Sequence, residues 1–345
     1  MPTIRGVPTT IPGVPTTIPG VPTTILVAPD SFKGTMSAAE VAAAIGRGLE
    51  QRGRPVDLCP IADGGEGTLE ALLQALGGER HTATVSDPLG RPLEASFALS
   101  GDGVGILETA AASGLGLVDP GERDAVAAST YGTGELIIAA VQAGASTVYL
   151  GVGGSATTDG GAGAIKAIRE GGGLQGARIV VLSDVRTPFE NAARVFAPQK
   201  GADERAVARL TRRLNDQARG LTRDPRGRPM TGAAGGLSGG LWAEFAAELV
   251  PGAQFVLDAI GFDRRMRAAR AVVTGEGKLD QQSLAGKAVS EVSTRARQAG
   301  VPCHAIVGTR ALDSFGQRVL DLQAVFEAGT PRQISAAARR LADVL

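Results

Sequence analysis

Apolar residues fall in short continuous runs separated by polar, glycine-rich segments, the rhythm of buried strands alternating with helices. Ile25-Leu26-Val27-Ala28-Pro29 is the first run and predicts a buried strand, with a polar loop over 30–36. Ser37-Ala38-Ala39-Glu40 has the form of a capping box and opens an Ala-rich helix to about residue 50. A second strand at 56–60, a glycine loop at 62–68 and a helix to about 76 repeat the unit, which predicts a parallel, doubly wound sheet. The pattern then changes. Residues 80–108 read as three short strands with turns at 88–90 and 101–103. Strands near 146–150 and 178–183 follow, with helices over 162–170, 203–219 and 237–249. Near residue 270 the first rhythm returns: strands at 271–274, 303–307 and 323–326, helices at 286–299 and 313–321. Thr330-Pro331 starts a last helix, with proline at its tolerated first position. The fold class expected is α/β: a Rossmann-like parallel-sheet domain built from both chain ends (23–80 and 266–345), with an inserted mixed α/β domain (81–265). A cleft between two such domains is where ligands usually sit.

Length and composition agree with two globular domains. The chain has 345 residues, 43% of them apolar and 20% charged, enough to bury a core. Basic and acidic residues balance at 35 each, so nothing in the charge points to nucleic acid or an anionic membrane. No apolar run reaches the ~18 residues of a transmembrane helix. Cys59 and Cys303 stand alone, which suits a reducing, cytoplasmic setting, and His81 and His304 are too few for a histidine-rich zinc site. Residues 6–25 repeat Gly-Val-Pro-Thr-Thr-Ile-Pro nearly three times. The prolines block helix and central strand, and a secretory signal's basic start and apolar core are missing. Residues 1–22 are therefore expected to be a disordered tail.

Glycine is unusually frequent, at 49 residues, and only five of the 35 basic residues are lysine. Genome base composition accounts for such a bias, yet apart from Lys166, which lies in an ordinary helical pattern, the lysines that remain lie in or beside glycine-containing loops. A compact ammonium next to glycine suits a phosphate oxygen. Five segments could carry chemistry; each could also be a plain structural turn. Asp30, Ser31 and Lys33 follow the first strand, at the edge of a parallel sheet that faces the ligand crevice. Asp63-Gly64-Gly65-Glu66-Gly67-Thr68 offers open amides at a helix start for an anion, and two carboxylates for Mg²⁺. Gly151–Gly163 holds glycines 153, 154, 160 and 161, with Ser155 and Asp159, and reads as an anion cradle. Its opening, Gly151-x-Gly153-x-x-Ala156, is a weak mimic of a dinucleotide fingerprint, because more loop intervenes before the next helix. Asp184 follows another strand, with Pro198-Gln199-Lys200-Gly201 downstream. Thr274-Gly275-Glu276-Gly277-Lys278-Leu279-Asp280 runs on to Gly286-Lys287 at a helix start. Gly232–Gly236 reads as tight packing or a hinge. Carboxylates, lysines and amides without histidine or cysteine suit phosphoryl transfer. No P-loop, His-Arg-Asp or Asp-Phe-Gly motif occurs, which excludes P-loop NTPases and protein kinases.

Segments 28–37, 62–68, 87–91, 153–163, 196–202, 232–237 and 274–287 together resemble the signature segments of the bacterial type I glycerate kinases, in the same order, over nearly all of residues 24–345. The resemblance implies ATP-dependent phosphorylation of D-glycerate with Mg²⁺, 2-phosphoglycerate being favoured over 3-phosphoglycerate, and leaves a homodimer open. Thr158 stands where that family usually has Asn, and Lys278 where it commonly has Arg. On this basis Lys33, Lys200 and Lys287 are expected to contact phosphate or carboxylate. Asp63, Glu66, Glu276 and Asp280 are expected at or near Mg²⁺. Asp30, Ser31 and glycines 64, 65, 153, 154, 160, 161, 275 and 277, with Ser155, are expected around the substrates. With no histidine in a motif, Asp159 is the expected general base. A nicotinamide-dependent oxidoreductase and a non-catalytic sensor of small acids are the rival readings.

Overall fold

The structure, a computed structural model, describes residues 22–285 and 287–345. Residues 1–21 of the expected tail lie outside the described residues. In chain order the strands are β1 (Ile25–Pro29), β2 (Val56–Leu58), β3 (Glu79–Ser86), β4 (Pro92–Leu99), β5 (Val104–Glu108), β6 (Thr147–Gly151) and β7 (Arg178–Leu182). They continue with β8 (Glu248–Val250), β9 (Ala271–Gly275), β10 (Lys278–Leu279), β11 (Cys303–Val307), β12 (Thr309–Arg310) and β13 (Leu322–Glu327).

The first sheet takes its strands from both chain ends, in the order β13-β11-β9-β1-β2, and all its pairs are parallel. Counted along the chain within this sheet, the order is 2-1-3-4-5, the flavodoxin type of doubly wound sheet. β1 shows why both faces are covered. Ile25 and Val27 pack with Val41, Ile45 and Leu49 of the helix Ala38–Glu50 and with Ile334 and Leu341 of the helix Pro331–Ala342. Leu26 and Ala28 pack on the opposite face with Val292 of the helix Ala288–Ala299 and Leu257 of the helix Gly252–Ala259. A strand buried on both faces reads as an unbroken apolar run. The expected capping box forms: Ser37 Oγ accepts from the Glu40 amide while Glu40 reaches back to the Ser37 amide.

The second sheet has the order β3-β4-β5-β6-β7-β8, antiparallel through β3, β4 and β5 and parallel from β5 to β8. It occupies the connection between β2 and β9. Its two faces carry separate cores. One is built with Leu136 and Ile137 of the helix Tyr131–Gln142, the other with Leu69 and Leu72 of the helix Thr68–Leu76 and Val256 of the helix Gly252–Ala259. That last helix therefore feeds both sheets, with Ala253 and Leu257 toward the first and Val256 toward the second. Two sequence expectations change. The helix expected over 237–249 is Leu237–Phe245; Ala246 turns left-handed (φ 55°) and ends it, and Glu248–Val250 joins β7 as β8. The helix Tyr131–Gln142 was not expected, because burial of Gly132, Thr133 and Gly134 along with its apolar residues erases a polar stripe.

Candidate active site

In an open parallel sheet the ligand crevice lies beyond the carboxyl ends of the strands, where neighbouring crossovers turn to opposite sides. In the first sheet that point is between β1 and β9. Asp30 follows β1 and Glu276 follows β9, and the Asp30 amide donates to Gly275 O at 2.8 Å. A cleft of about 450 Å³ opens there, lined by Asp30, Ser31, Lys33, Asp63, Glu276, Gly277, Lys278, Asp280 and Lys287, with Gly308, Thr309 and Gly329 from the ends of β11 and β13.

The charges in this cleft are strongly interdependent. Lys33 Nζ lies 3.3 Å from Asp63 Oδ2, and the Asp63 charge raises the lysine's pKa. Burial, and after it the Asp63 charge, holds the Asp30 carboxyl well above the ordinary carboxylate range. Asp30 Oδ1 accepts from the Ser31 amide at 2.7 Å. Burial pushes the Glu276 carboxyl up to about 7. Ser31 Oγ and Glu276 Oε1 are buried and have no hydrogen-bond partner among the described residues. Buried polar atoms are almost always satisfied, so two orphans in one cleft point to a ligand that supplies the missing bonds. Lys287 Nζ donates to Gln282 Oε1 at 3.1 Å, and Lys278 pairs with Asp280 at 3.3 Å.

The glycines have a steric task. The loop after β2 crosses the loop after β6: the Gly153 amide donates to Gly64 O at 3.1 Å, and a Cβ on Gly153 would overlap Gly65 Cα. Gly64, at φ +90°, would place a Cβ 2.5 Å from Leu182 O at the end of β7. The carboxyl edges of the two sheets thus meet backbone to backbone beside Lys33. This corrects the open amide cradle expected at 63–68. Gly65 N–H is taken by Asp63 Oδ1 at 3.0 Å, and the amides of Gly67 and Leu69 by Glu108 Oε1 at 2.9 and 2.8 Å. Glu108, the last residue of β5, caps the helix Thr68–Leu76 where an anion was expected.

The second half of the 151–163 loop is also structural. Asp159 is 1% exposed. Its Oδ2 accepts from the Thr130 amide and hydroxyl, both at 2.9 Å, and from the Gly163 amide at 3.1 Å; its Oδ1 accepts from the Gly161 amide at 3.1 Å. A carboxylate saturated by four donors and absent from the cleft lining is a tie between two helix starts, and this geometry does not support the general base expected there. The Gly160 amide is held by Gly235 O at 3.0 Å, and a Cβ on Gly235 would overlap Thr157 O, so 232–236 is tight packing. Lys200 lies away from the cleft lining, buried, donating to Ser155 Oγ at 3.0 Å and to Thr157 O.

The structure therefore gathers Asp30, Ser31, Lys33, Asp63, Glu276, Gly277, Asp280 and Lys287 around one cleft. Gly64, Gly65, Gly153 and Gly154 lie at the loop crossing next to it, and Glu66 faces Gly154 rather than the cleft. Gly275 is packed under Ile306 O. Ser155 and Lys200 form a second group; Asp159, Gly160 and Gly161 stand apart. Sequence reasoning missed Glu108, although it ends a strand just as Asp30 and Glu276 follow one. It gave Asp184 no role; that carboxyl accepts from the Ala253 amide at 3.1 Å and is pushed up to about 7, by burial first and then by Asp63. Among the described residues no group of three or more Asp, Glu, His or Cys is placed to hold a metal ion by itself, and no helix is long and apolar enough to cross a membrane.

Comparison with known proteins gives consistent matches. Residues 25–171 and 170–343 match the profile of the glycerate kinase family. The chain is 40% identical to a glycerate kinase of Halalkalibacterium halodurans over 342 aligned residues, which span 88% of each chain. It is 37% identical to a glycerate 2-kinase of Escherichia coli, covering 82% of this chain and 84% of that one. A crystal structure assigned to a glycerate kinase 2 of Salmonella typhimurium LT2 superposes with a TM-score of 0.77 at 34% identity, covering 94% of this chain and 98% of that chain.

Proposed function

The chain belongs to the glycerate kinase family, and from that premise we propose that it transfers the γ-phosphoryl group of ATP to a hydroxyl of D-glycerate in the cleft between β1 and β9. The observation that carries this reading is the convergence of Lys33, Lys287, Asp30, Asp63 and Glu276 at the sheet's switch point, with Ser31 Oγ and Glu276 Oε1 buried and unsatisfied among the described residues. Phosphoryl transfer asks for positioning and charge neutralisation rather than a covalent nucleophile. Lys33, Lys287 and Ser31 would meet phosphate oxygens. The acceptor oxygen bonds to the γ-phosphorus as the bond to ADP breaks, and the hydroxyl proton goes to Asp30 Oδ2, the oxygen not bound to Ser31. A carboxyl that burial and the Asp63 charge raise above the ordinary carboxylate range holds a proton more strongly than a free carboxylate, which suits that transfer.

Mg²⁺ fits this donor set. It typically binds through one or two carboxylates together with substrate phosphates, so a three-carboxylate cage is not required. Asp63 and Glu276 would hold it. When bound it neutralises charge on the phosphates. On the domain reading, 23–80 with 266–345 around an inserted 81–265, the donor would lie on the first sheet and the acceptor toward the loop crossing. The 2-hydroxyl is favoured as acceptor because the Escherichia coli relative is named a glycerate 2-kinase. Incubation with Mg²⁺–ATP and D-glycerate, followed by ³¹P NMR, tests the reading. ADP with 2-phosphoglycerate is expected; 3-phosphoglycerate would overturn the regiochemistry, and absence of glycerate-dependent ADP would overturn the function.

A further inference from the structure

A buried ammonium normally sits beside a carboxylate, because hydrogen bonds to neutral groups only partly offset its removal from water. Among the described residues Lys200 has no such partner. It is 2% exposed, and its Nζ donates only to Ser155 Oγ and Thr157 O, although an ammonium carries three N–H groups. Burial pulls its pKa down to about 7. Arg123 is beside it: Gly201, which follows Lys200, packs so closely that a Cβ there would lie 3.1 Å from Arg123 O. Among the described residues Arg123 Nε is buried without a partner, as are Thr157 Oγ1 and Thr158 Oγ1 on the loop that Lys200 holds.

Two carboxylates lie nearby, and both are engaged. Asp124 Oδ1 accepts from the amides of Val126 and Ala127 at 2.8 and 3.1 Å. Asp159 is saturated by its four donors. Among the described residues neither Lys200 nor Arg123 forms an ion pair. Lys200, Arg123 and Asp124 line one gap with Leu89, Leu115, Val118, Ala128 and Ala156, and in this state it has no room for a water molecule. The loop that Lys200 braces is the one whose Gly153 crosses Gly65 beside Lys33. Two cationic side chains without a carboxylate partner, joined to the cleft only through the 151–163 loop, are the complement of a small carboxylate.

We propose that Lys200 and Arg123 recognise the carboxylate of the acceptor, and so select a hydroxy acid over a neutral polyol. This rests on the reading of the chain as a kinase of a small hydroxy acid. The carboxylate takes the spare N–H of Lys200 and the free Nε–H of Arg123 as the segment bearing Arg123 moves off Gly201.

The test compares D-glycerate with D-glyceramide, its uncharged amide, in steady-state kinetics of the full chain. Wild type should favour glycerate in kcat/KM by at least about 100-fold, since a site built for a charged group leaves its donors unpaired with the amide. Arg123→Met and Lys200→Met should each raise KM for glycerate at least about tenfold and reduce that preference, with KM for ATP unchanged. Arg123→Lys should keep more of the preference than Arg123→Met, which loss of folding would not produce. An unchanged glycerate-to-glyceramide ratio in either folded Met variant overturns the proposal while leaving the kinase reading intact. A rise in KM for ATP in place of glycerate also overturns it, assigning the cations to phosphate. If wild type makes no ADP with glycerate, both readings fall.

Discussion

Replacing Asp159 with Asn distinguishes a structural carboxylate from a catalytic one. The side chain accepts four buried bonds, three at Oδ2 and one at Oδ1. Asparagine can keep its carbonyl at the Oδ2 position. Its NH₂ group then faces the Gly161 amide, donor against donor, at about 1–3 kcal/mol for the unsatisfied buried N–H. The three bonds that remain change from charge-assisted to neutral, which weakens each by about 0.5–1 kcal/mol. Relief from burying a charge offsets part of this, leaving a net destabilisation of about 2–4 kcal/mol. Domains of ordinary stability, about 5–15 kcal/mol, survive such a loss. Urea unfolding followed by circular dichroism should show a clearly lower midpoint for Asp159→Asn, while kcat of the folded enzyme stays within a few-fold of wild type. An unchanged midpoint with kcat reduced about 10²–10⁴-fold would refute this reasoning, because that is the signature of a lost general base.

Asp30→Asn should lower kcat about 10²–10⁴-fold with little change in KM for ATP. Because burial and Asp63 raise the Asp30 pKa, wild-type kcat/KM should fall as pH drops through that raised value, and the mutant should lack this limb; an unchanged kcat removes Asp30 from proton transfer. Glu276 is protonated in the folded state up to about pH 7 but only to about 4.3 when unfolded, so between those values the native state binds more protons and stability declines as pH rises. In ligand-free protein Glu276→Gln should flatten that decline in thermal-shift profiles, and identical pH profiles would count against the burial of this carboxyl. Gly153→Ala forces a Cβ against the backbone at Gly65, which should cost about 1–3 kcal/mol of stability together with activity; a melting temperature equal to wild type would show that the two loops can part freely.

Much of the first sheet is legible in the chain because doubly buried strands appear as apolar runs: 25–29, 271–275 and 303–307 are such runs and form β1, β9 and β11. Local signals also read well, since the Ser37–Glu40 capping box and the Thr330-Pro331 start involve neighbours only. Features that depend on distant partners do not read. Asp159 resembles a catalytic residue in a glycine-rich loop until Thr130, 29 residues away, is brought against it. The amides at Gly67 and Leu69 look open until Glu108 arrives from β5. The glycines of 151–163 look like a phosphate cradle, but a glycine needed for close passage of another backbone leaves the same mark in sequence as one needed to expose an amide. The resemblance to glycerate kinases located the loops around the cleft; the switch point between β1 and β9 shows why Asp30 and Glu276 converge there.

The central claim is that phosphoryl transfer takes place beyond the carboxyl ends of β1 and β9. A crystal structure with Mg²⁺, a non-hydrolysable ATP analogue and D-glycerate tests it most directly. The γ-phosphate should lie within hydrogen-bond distance of Ser31 Oγ and Lys33 or Lys287, with the metal touching Glu276 or Asp63. A nucleotide whose γ-phosphate lies away from these side chains, or that is bound by the second sheet alone, would contradict the account.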